Sequence, residues 1–248
     1  MYLTKALEIR EASFKILRQM GIPKELLYSV CLIPDDIKSI YDIAKDKDIS
    51  SVLEIGSFVG VSAIVLLTLF KKSKIYCVDP CLSIKSDAKT YGVELNESTD
   101  YYFQALSKNF SLCDRITKIK AFFSKIPDDN TIAYHLPNNP DMLKIPVIST
   151  VLEQKRKFDL IFIDGAKSQY INFFEKYKNN LTPNGVFISD NLFFHGMVED
   201  ISKTKNYSTI KLIRKIRRYI DFLKANQEFE TTFLEIGDGV AVSKRKQF

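Results

Sequence analysis

Two short stretches of the 248-residue sequence carry apolar runs that end on oxygen-bearing side chains. In FIDGAKSQY, residues 162–170, the run stops at Asp164, Lys167 follows three positions later and Tyr170 three beyond that. In GVFISDN, residues 185–191, a second run stops at Asp190 and Asn191. Two carboxylates and an amide are hard oxygen donors, suited to Mg²⁺ or another divalent cation and poor for zinc. Three protein oxygens leave about three of six octahedral positions for water and substrate, which is what a catalytic ion needs. A lysine one turn from such an ion can take a proton from a substrate hydroxyl. Each residue also has a plainer reading: Asp164 as a helix N-cap, Asp190 and Asn191 as a polar strand exit, Tyr170 as core packing.

A third stretch, LEIGSFVGVSA (53–63), places Gly56 and Gly60 between a strand and a helix that opens at about Val61. Glycine lets the backbone turn sharply and approach a ligand, and the helix N-terminus offers free N–H groups to an anion. The spacing is G-x-x-x-G, whereas dinucleotide-binding folds use G-x-G-x-x-G, so a dehydrogenase is disfavoured. Asp79 ends the next strand, 23 residues after Gly56, where an acidic side chain would accept both hydroxyls of an adenosine ribose. Capping of the following turn is the alternative for Asp79. His195, in LFFHGMV, lies four residues past Asn191 and is a rival base or substrate contact; His135, in AYHLPNNPD, has no partner in sequence.

These residues must be held by a scaffold, and its pattern is legible. SVLEIG (51–56), KIYCVD (74–79), ITKIKAFF (116–123), FDLIFID (158–164) and GVFISDN (185–191) are short β-rich runs, most of them nearly all apolar, as in strands covered on both faces. Helical stretches at 61–70, 101–110 and 169–179 separate most of them. The alternation predicts an α/β fold, a Rossmann-like doubly wound and mainly parallel sheet of seven strands. TTFLEIGDGVAVSKRK reads as two strands around Gly237-Asp238-Gly239, so the sheet should close with an antiparallel C-terminal hairpin strand. Residues 1–48 form a helical preface, with apolar positions at helical spacing (Ala6, Leu7, Ile9, Phe14, Leu17) and a restart after Gly21 and Pro23. The segments 80–99 and 128–150 fit no element and read as inserted loops in one domain spanning 1–248.

With 46% hydrophobic residues the chain can bury one large core. It holds no run long enough to span a membrane and opens on no signal-peptide core, so no membrane partner and a cytoplasmic location are expected. Cys31, Cys77, Cys81 and Cys113 form no CxxC pair and read as free thiols. The net charge of +6 resides in residues 201–248, with 11 Lys/Arg against 5 Asp/Glu. In the helix expected over 208–221, Lys211, Arg214, Lys215 and Arg218 share one face and Ile213, Ile216 and Ile220 the opposite one. A solvated helix face and a phosphate-facing surface both fit that pattern.

LEIGSFVGVSA followed by CVDP resembles the first two motifs of class I S-adenosylmethionine-dependent methyltransferases. The resemblance implies that Gly56, Ser57, Gly60 and Ser62, with Glu54 in the same motif, hold the methionine part of S-adenosylmethionine, and that Asp79 takes its ribose. It also puts Phe123 and Ser124, in AFFSKIP, beside the adenine. FIDGAKSQY with FISDN is similar to the cation-dependent O-methyltransferases related to catechol O-methyltransferase, and the likeness runs over about residues 50–243, including KLIRKIRRYIDFL and EIGDGVAVS. It implies Mg²⁺ on Asp164, Asp190 and Asn191, with Asp164 also on the cofactor side, and Lys167 as general base. The implied reaction moves a methyl group to a hydroxyl of a catechol-like or phenolic small molecule, in a homodimer. The chain has no tryptophan, with which such relatives wall the ring, and Gly165-Ala166 leave that side open. An alternative acceptor is tRNA, since the C-terminal part is similar to bacterial methyltransferases acting on 5-hydroxyuridine. A non-catalytic binding module of the same fold is opposed by the intact Asp164, Lys167, Asp190 and Asn191.

Overall fold

The structure is a computed structural model, and it describes residues 1–79, 95, 97–120, 131–134, 143–146 and 156–247. Three helices open the chain: α1 (Tyr2–Gln19), α2 (Lys24–Val30) and α3 (Pro34–Ala44). There follow β1 (Ser51–Ile55), α4 (Val61–Leu69), β2 (Lys74–Asp79), α5 (Thr99–Asn109) and β3 (Ile116–Lys120). After a short strand pair, β4 (Thr131–Tyr134) and β5 (Leu143–Pro146), come β6 (Phe158–Ile163), α6 (Tyr170–Tyr177) and β7 (Leu181–Ser189). The chain closes with α7 (Tyr207–Lys224), β8 (Phe229–Leu234) and β9 (Val240–Arg245).

Seven strands form one sheet in the order β3-β2-β1-β6-β7-β9-β8. β1, β2, β3, β6 and β7 run parallel, while β9 pairs antiparallel with both β7 and β8. The expected doubly wound sheet and its C-terminal hairpin are both present. Chain order reverses between β1 and β6, and a crevice outside the carboxyl ends of the strands at such a switch point is where α/β sheets bind ligands. Asp164 and Asp190 each begin one residue past a strand end, and their N–H groups still donate across the sheet, to Ile55 O at 3.0 Å and Ile163 O at 3.1 Å.

Strand alternation divides the core between the two faces. Val52 packs on the side of α1 and α4, Leu53 and Ile55 on the side of α6 and α7. α4, VSAIVLLTL, is apolar almost all round and every residue of it is buried, as expected of a helix sandwiched between the sheet and α1. α7 is amphipathic: Ile213, Ile216, Tyr219 and Leu223 are buried, while Lys211, Arg214, Lys215 and Arg218 are exposed. The opposed faces expected for this helix are present. Ala6, Phe14 and Leu17 of α1 pack into the chain's own core.

Two expectations are corrected. Part of the 128–150 segment is not loop, since β4 and β5 pair antiparallel from Thr131↔Pro146 to Tyr134↔Leu143; β-branched Thr131, Ile132 and Ile145 favour that state. Lys167 does not ride on the first turn of an α-helix but on a single 3₁₀ turn, Lys167–Gln169, ahead of α6. The rest of the 80–99 and 128–150 segments lies largely outside the described residues, as do His135 and Cys81.

Candidate active site

At the carboxyl ends of β1, β6 and β7 the chain encloses a cavity of about 1130 Å³. Its wall includes Gly56, Ser57, Ser62 and Asp79 from the glycine turn and its neighbour strand. Asp164, Lys167, Asp190 and Asn191 line it as well, so the two stretches singled out in the sequence meet in one place with the glycine turn.

On the glycine-turn side, Gly56 and Gly60 have φ of +90° and +86°. Backbone and packing both demand glycine there: a Cβ on Gly56 would stand 2.4 Å from Gly165 Cα, and one on Gly60 would stand 2.2 Å from the Phe103 ring. Asp79 Oδ2 accepts the N–H of Ser57 at 3.0 Å and of Phe58 at 2.9 Å. The carboxylate thus fixes the turn, and it also lines the cavity. The turn that Asp79 holds is the glycine turn earlier in the chain, not the one that follows its own strand.

Glu54 departs from its expected place. It lies on the Val52 face of β1, fully buried toward α4, and is absent from the described cavity wall. Period-two alternation sends it there, because Ile55 takes the opposite face and the chain turns at Gly56. Burial pushes its carboxyl up to about 8, with Ser62 and Cys77 beside it opposing the shift. Neither oxygen meets a hydrogen-bond partner among the described residues. Phe123 and Ser124 lie outside the described residues.

On the opposite side, Lys167 Nζ donates to Asn191 Oδ1 at 2.8 Å and stands 3.7 Å from Asp164 Oδ1. Asn191 adopts φ +58°, a left-handed conformation that asparagine tolerates better than most residues. Asp190 is 2% exposed, and its Oδ1 accepts the N–H of Asn191 at 2.7 Å. Beneath it Tyr170, buried against Tyr219, donates its hydroxyl to Asp190 O at 3.1 Å. Tyr170 is core packing, as expected, with a polar tip that steadies the strand end.

The charges here are crowded. Burial pushes the Asp164 carboxyl up to about 6, with the Lys167 ammonium pulling the other way. Burial, and then Asp164 and Asp36, hold Asp190 well above the carboxylate range. Two buried carboxyls, with the Asp164 charge raising Asp190, stand here with an amide oxygen and the Lys167 ammonium. That donor set fits a hard divalent cation.

His195 reaches the mouth of the cavity with its side chain 70% exposed. Its N–H donates to Asp238 Oδ1 at 2.5 Å, and its Nδ1 lies 3.9 Å from Asp238 Oδ2. Asp238 and Asp36 also line the cavity, and neither stood out in the sequence as more than a hairpin turn and a helix start. Asp36 is 2% exposed, and burial pushes it up to about 7, opposed by the Ile33 N–H at 3.3 Å. A Pro-Asp-Asp helix start signals a capped first turn, and nothing local tells that its acid faces a turn two hundred residues away.

Comparisons with known proteins bear on the fold and the family. Curated relatives include caffeoyl-CoA O-methyltransferase 2 of Zea mays, 30% identical over 113 residues, which are 41% of this chain and 40% of that protein. Caffeoyl-CoA O-methyltransferase of Citrus natsudaidai is 26% identical over 105 residues, 41% of this chain and 45% of that protein. The matched region thus spans less than half the length of these relatives. Among solved structures, the SAH-bound Podospora anserina methyltransferase PaMTH1 superposes with a TM-score of 0.67 at 18% identity, covering 96% of this chain and 88% of that one. The O-methyltransferase from Bacillus cereus in complex with SAH gives 0.61 at 18% identity, covering 99% and 90%. These two show the same fold. A sequence model described as O-methyltransferase matches residues 117–246, more than half of the chain and the part that carries Asp164, Lys167, Asp190 and Asn191, and the chain belongs to that family.

Proposed function

We propose that this protein transfers a methyl group from S-adenosylmethionine to a hydroxyl of a catechol-like or phenolic small molecule, with the help of Mg²⁺ or a similar divalent cation. One observation carries the reading: Lys167 Nζ lies within 2.8 Å of Asn191 and 3.7 Å of Asp164, on the cavity wall that faces the glycine turn. Ser57 and the loop pinned by Asp79 are the groups available to the cofactor. Asp164, Asp190 and Asn191 would hold the cation. When bound, it would supply positive charge that draws the acceptor hydroxyl below its ordinary pKa of about 10.

In the reaction, the acceptor oxygen forms a bond to the methyl carbon while the carbon–sulfur bond breaks and its electron pair stays on sulfur. Lys167 is the group on this wall that would take the hydroxyl proton; it does so as the neutral amine, a form that a bound cation beside it would favour, and then passes the proton to solvent. The walls on either side act by position, holding oxygen and methyl in line at roughly 3 Å. Three free cysteines among the described residues support a reducing, cytoplasmic setting. The homodimer remains part of the proposal on the sequence likeness alone, and light scattering tests it.

One observation favours a second reading, in which the acceptor is a hydroxylated base in tRNA. The basic face of α7 is exposed, and Leu212 of the same helix lines the cavity. Incubation with labelled S-adenosylmethionine, Mg²⁺ and either a panel of catechols or deproteinised tRNA separates the two. Label in a catechol supports the first reading, label in tRNA alone replaces it with the second, and label in neither overturns both.

A further inference from the structure

The turn at the end of the sheet, Gly237-Asp238-Gly239, touches two distant parts of the chain. A Cβ on Gly237 would stand 2.0 Å from Asp36 Oδ1 and 3.0 Å from its Cγ, so the Asp36 carboxylate occupies the space that any side chain at 237 would need. A Cβ on Gly239 would stand 2.6 Å from the Phe193 ring, so that ring fills the corresponding space on the other side. Between the two glycines, Asp238 holds the segment that follows Asn191. Its carbonyl accepts the N–H of Phe193 at 2.7 Å and its Oδ1 that of His195 at 2.5 Å, while Gly239 O accepts the N–H of Leu192 at 2.9 Å.

That segment needs holding. Asn191, Phe194 and His195 have φ of +58°, +45° and +57°, and non-glycine residues in this region carry a cost of order 1 kcal/mol or more each. Such a backbone persists only where its surroundings fix it.

Asp36 is itself well placed to do so. Its helix starts on Pro34, its Oδ2 accepts the Ile33 N–H, and the preceding residue Leu32 gives its carbonyl to buried Arg10 Nε of α1 at 2.5 Å. Asp36 Oδ1, by contrast, is buried with no hydrogen-bond partner among the described residues. A carboxylate oxygen left in that state costs stability, and a capped helix start does not require it.

We propose that Asp36 is a positioning residue for the acceptor side of the cavity: its carboxylate seats the 237–239 turn by filling the space against Gly237, and the turn in its place holds residues 192–195 and thereby Asn191. The word acceptor rests on the function proposed above. The contact and its effect on the loop do not, and the test is chosen accordingly.

Amide hydrogen exchange of the full-length protein, read by NMR, is compared for wild type, Asp36→Ala, Gly237→Ala and the double variant. Exchange at Phe193 and His195 should be about tenfold faster or more in Asp36→Ala, which corresponds to a local opening easier by about 1.4 kcal/mol. Amides of Ser57 and Phe58, bonded to Asp79 across the cavity, should stay within about twofold. Gly237→Ala breaks the same contact from the other side and should give the same pattern. In the double variant the new methyl group no longer meets the carboxylate, so exchange at Phe193 and His195 should be no faster than in the worse single variant. Once an acceptor is in hand, Asp36→Ala should raise its KM with cofactor Kd unchanged. Unaltered exchange at Phe193 and His195, equal acceleration at Ser57 and Phe58, or additive effects in the double variant would each overturn the proposal. Absence of any methyl transfer would remove the acceptor label and leave the exchange result to decide the contact.

Discussion

The glycine-turn wall of the cavity is held by short-range bonding within neighbouring strands, whereas the wall across from it is assembled from four separate stretches of chain. On the first, one carboxylate, Asp79, accepts two consecutive backbone N–H groups, and two glycines admit the close packing of Gly165 and Phe103. On the second, Asp164 with Lys167, Asp190 with Asn191, the 237–239 turn and Asp36 of α3 interlock, and three non-glycine residues sit at positive φ, against one, Phe58, on the first. A wall built by local hydrogen bonds should yield only where it is struck. One built by long-range packing over strained backbone should transmit a change from one stretch to the next.

The largest expected contrast comes from removing divalent cations. Under the proposed function, chelation with EDTA should abolish methyl transfer, while calorimetry with S-adenosylmethionine should show binding little changed, because only the second wall offers the cation ligands. Full turnover in metal-free buffer would reduce Asp164, Asp190 and Asn191 to polar strand ends.

Next in size is Asp79→Ala. Two backbone N–H groups lose a charged acceptor, each such bond contributing about 1.5–3 kcal/mol. Affinity for S-adenosylmethionine should fall by about a hundredfold, with exchange protection of the Phe193 and His195 amides retained. Wild-type affinity in this variant would break the assignment of the glycine turn to the cofactor.

The smallest effect should come from Glu54, which belongs to neither wall. Its carboxyl rises from 4.5 to about 8 on folding, so the folded state keeps a proton that the unfolded chain releases between these values. Stability therefore falls as pH increases through that window. Glu54→Gln should raise the melting temperature by several degrees at pH 8 and by little at pH 5, at roughly 2–4 °C per kcal/mol. Affinity for S-adenosylmethionine should stay within about twofold, as for substitutions away from a site. An equal gain at both pH values would show that Glu54 is not neutral in the fold, and a large loss of affinity would return it to the cofactor wall.

The same contrast explains what was legible in the sequence. Strands read as continuous apolar runs, and both acidic residues stood at strand ends, so topology alone brought Asp164, Asp190, Asn191 and the glycine turn together. Lys167 was found by spacing, although its turn is 3₁₀ and not α. Glu54 was misplaced because its motif is defined along the chain, whereas strand alternation turns it to the α4 face. Asp36 and Asp238 were missed for another reason. Their local patterns, an acidic first turn and a Gly-Asp-Gly hairpin, are complete structural explanations in themselves, and only the packing of α3 against the far edge of the sheet gives them a second role.

Lys167 joins FIDGAKSQY to GVFISDN through its bond to Asn191, and its substitution is the sharpest test of the proposed reaction. Lys167→Met should lower kcat by about 10² to 10⁴, the contribution of a positioned base, with metal and S-adenosylmethionine affinities near wild type. Raising pH should recover part of that rate, since solvent hydroxide can then take the proton. His195→Ala, which removes an exposed side chain, should change kcat by less than about threefold. A Lys167→Met variant within threefold of wild type, or a large and pH-rescued loss in His195→Ala instead, would contradict the assignment of Lys167 as the base.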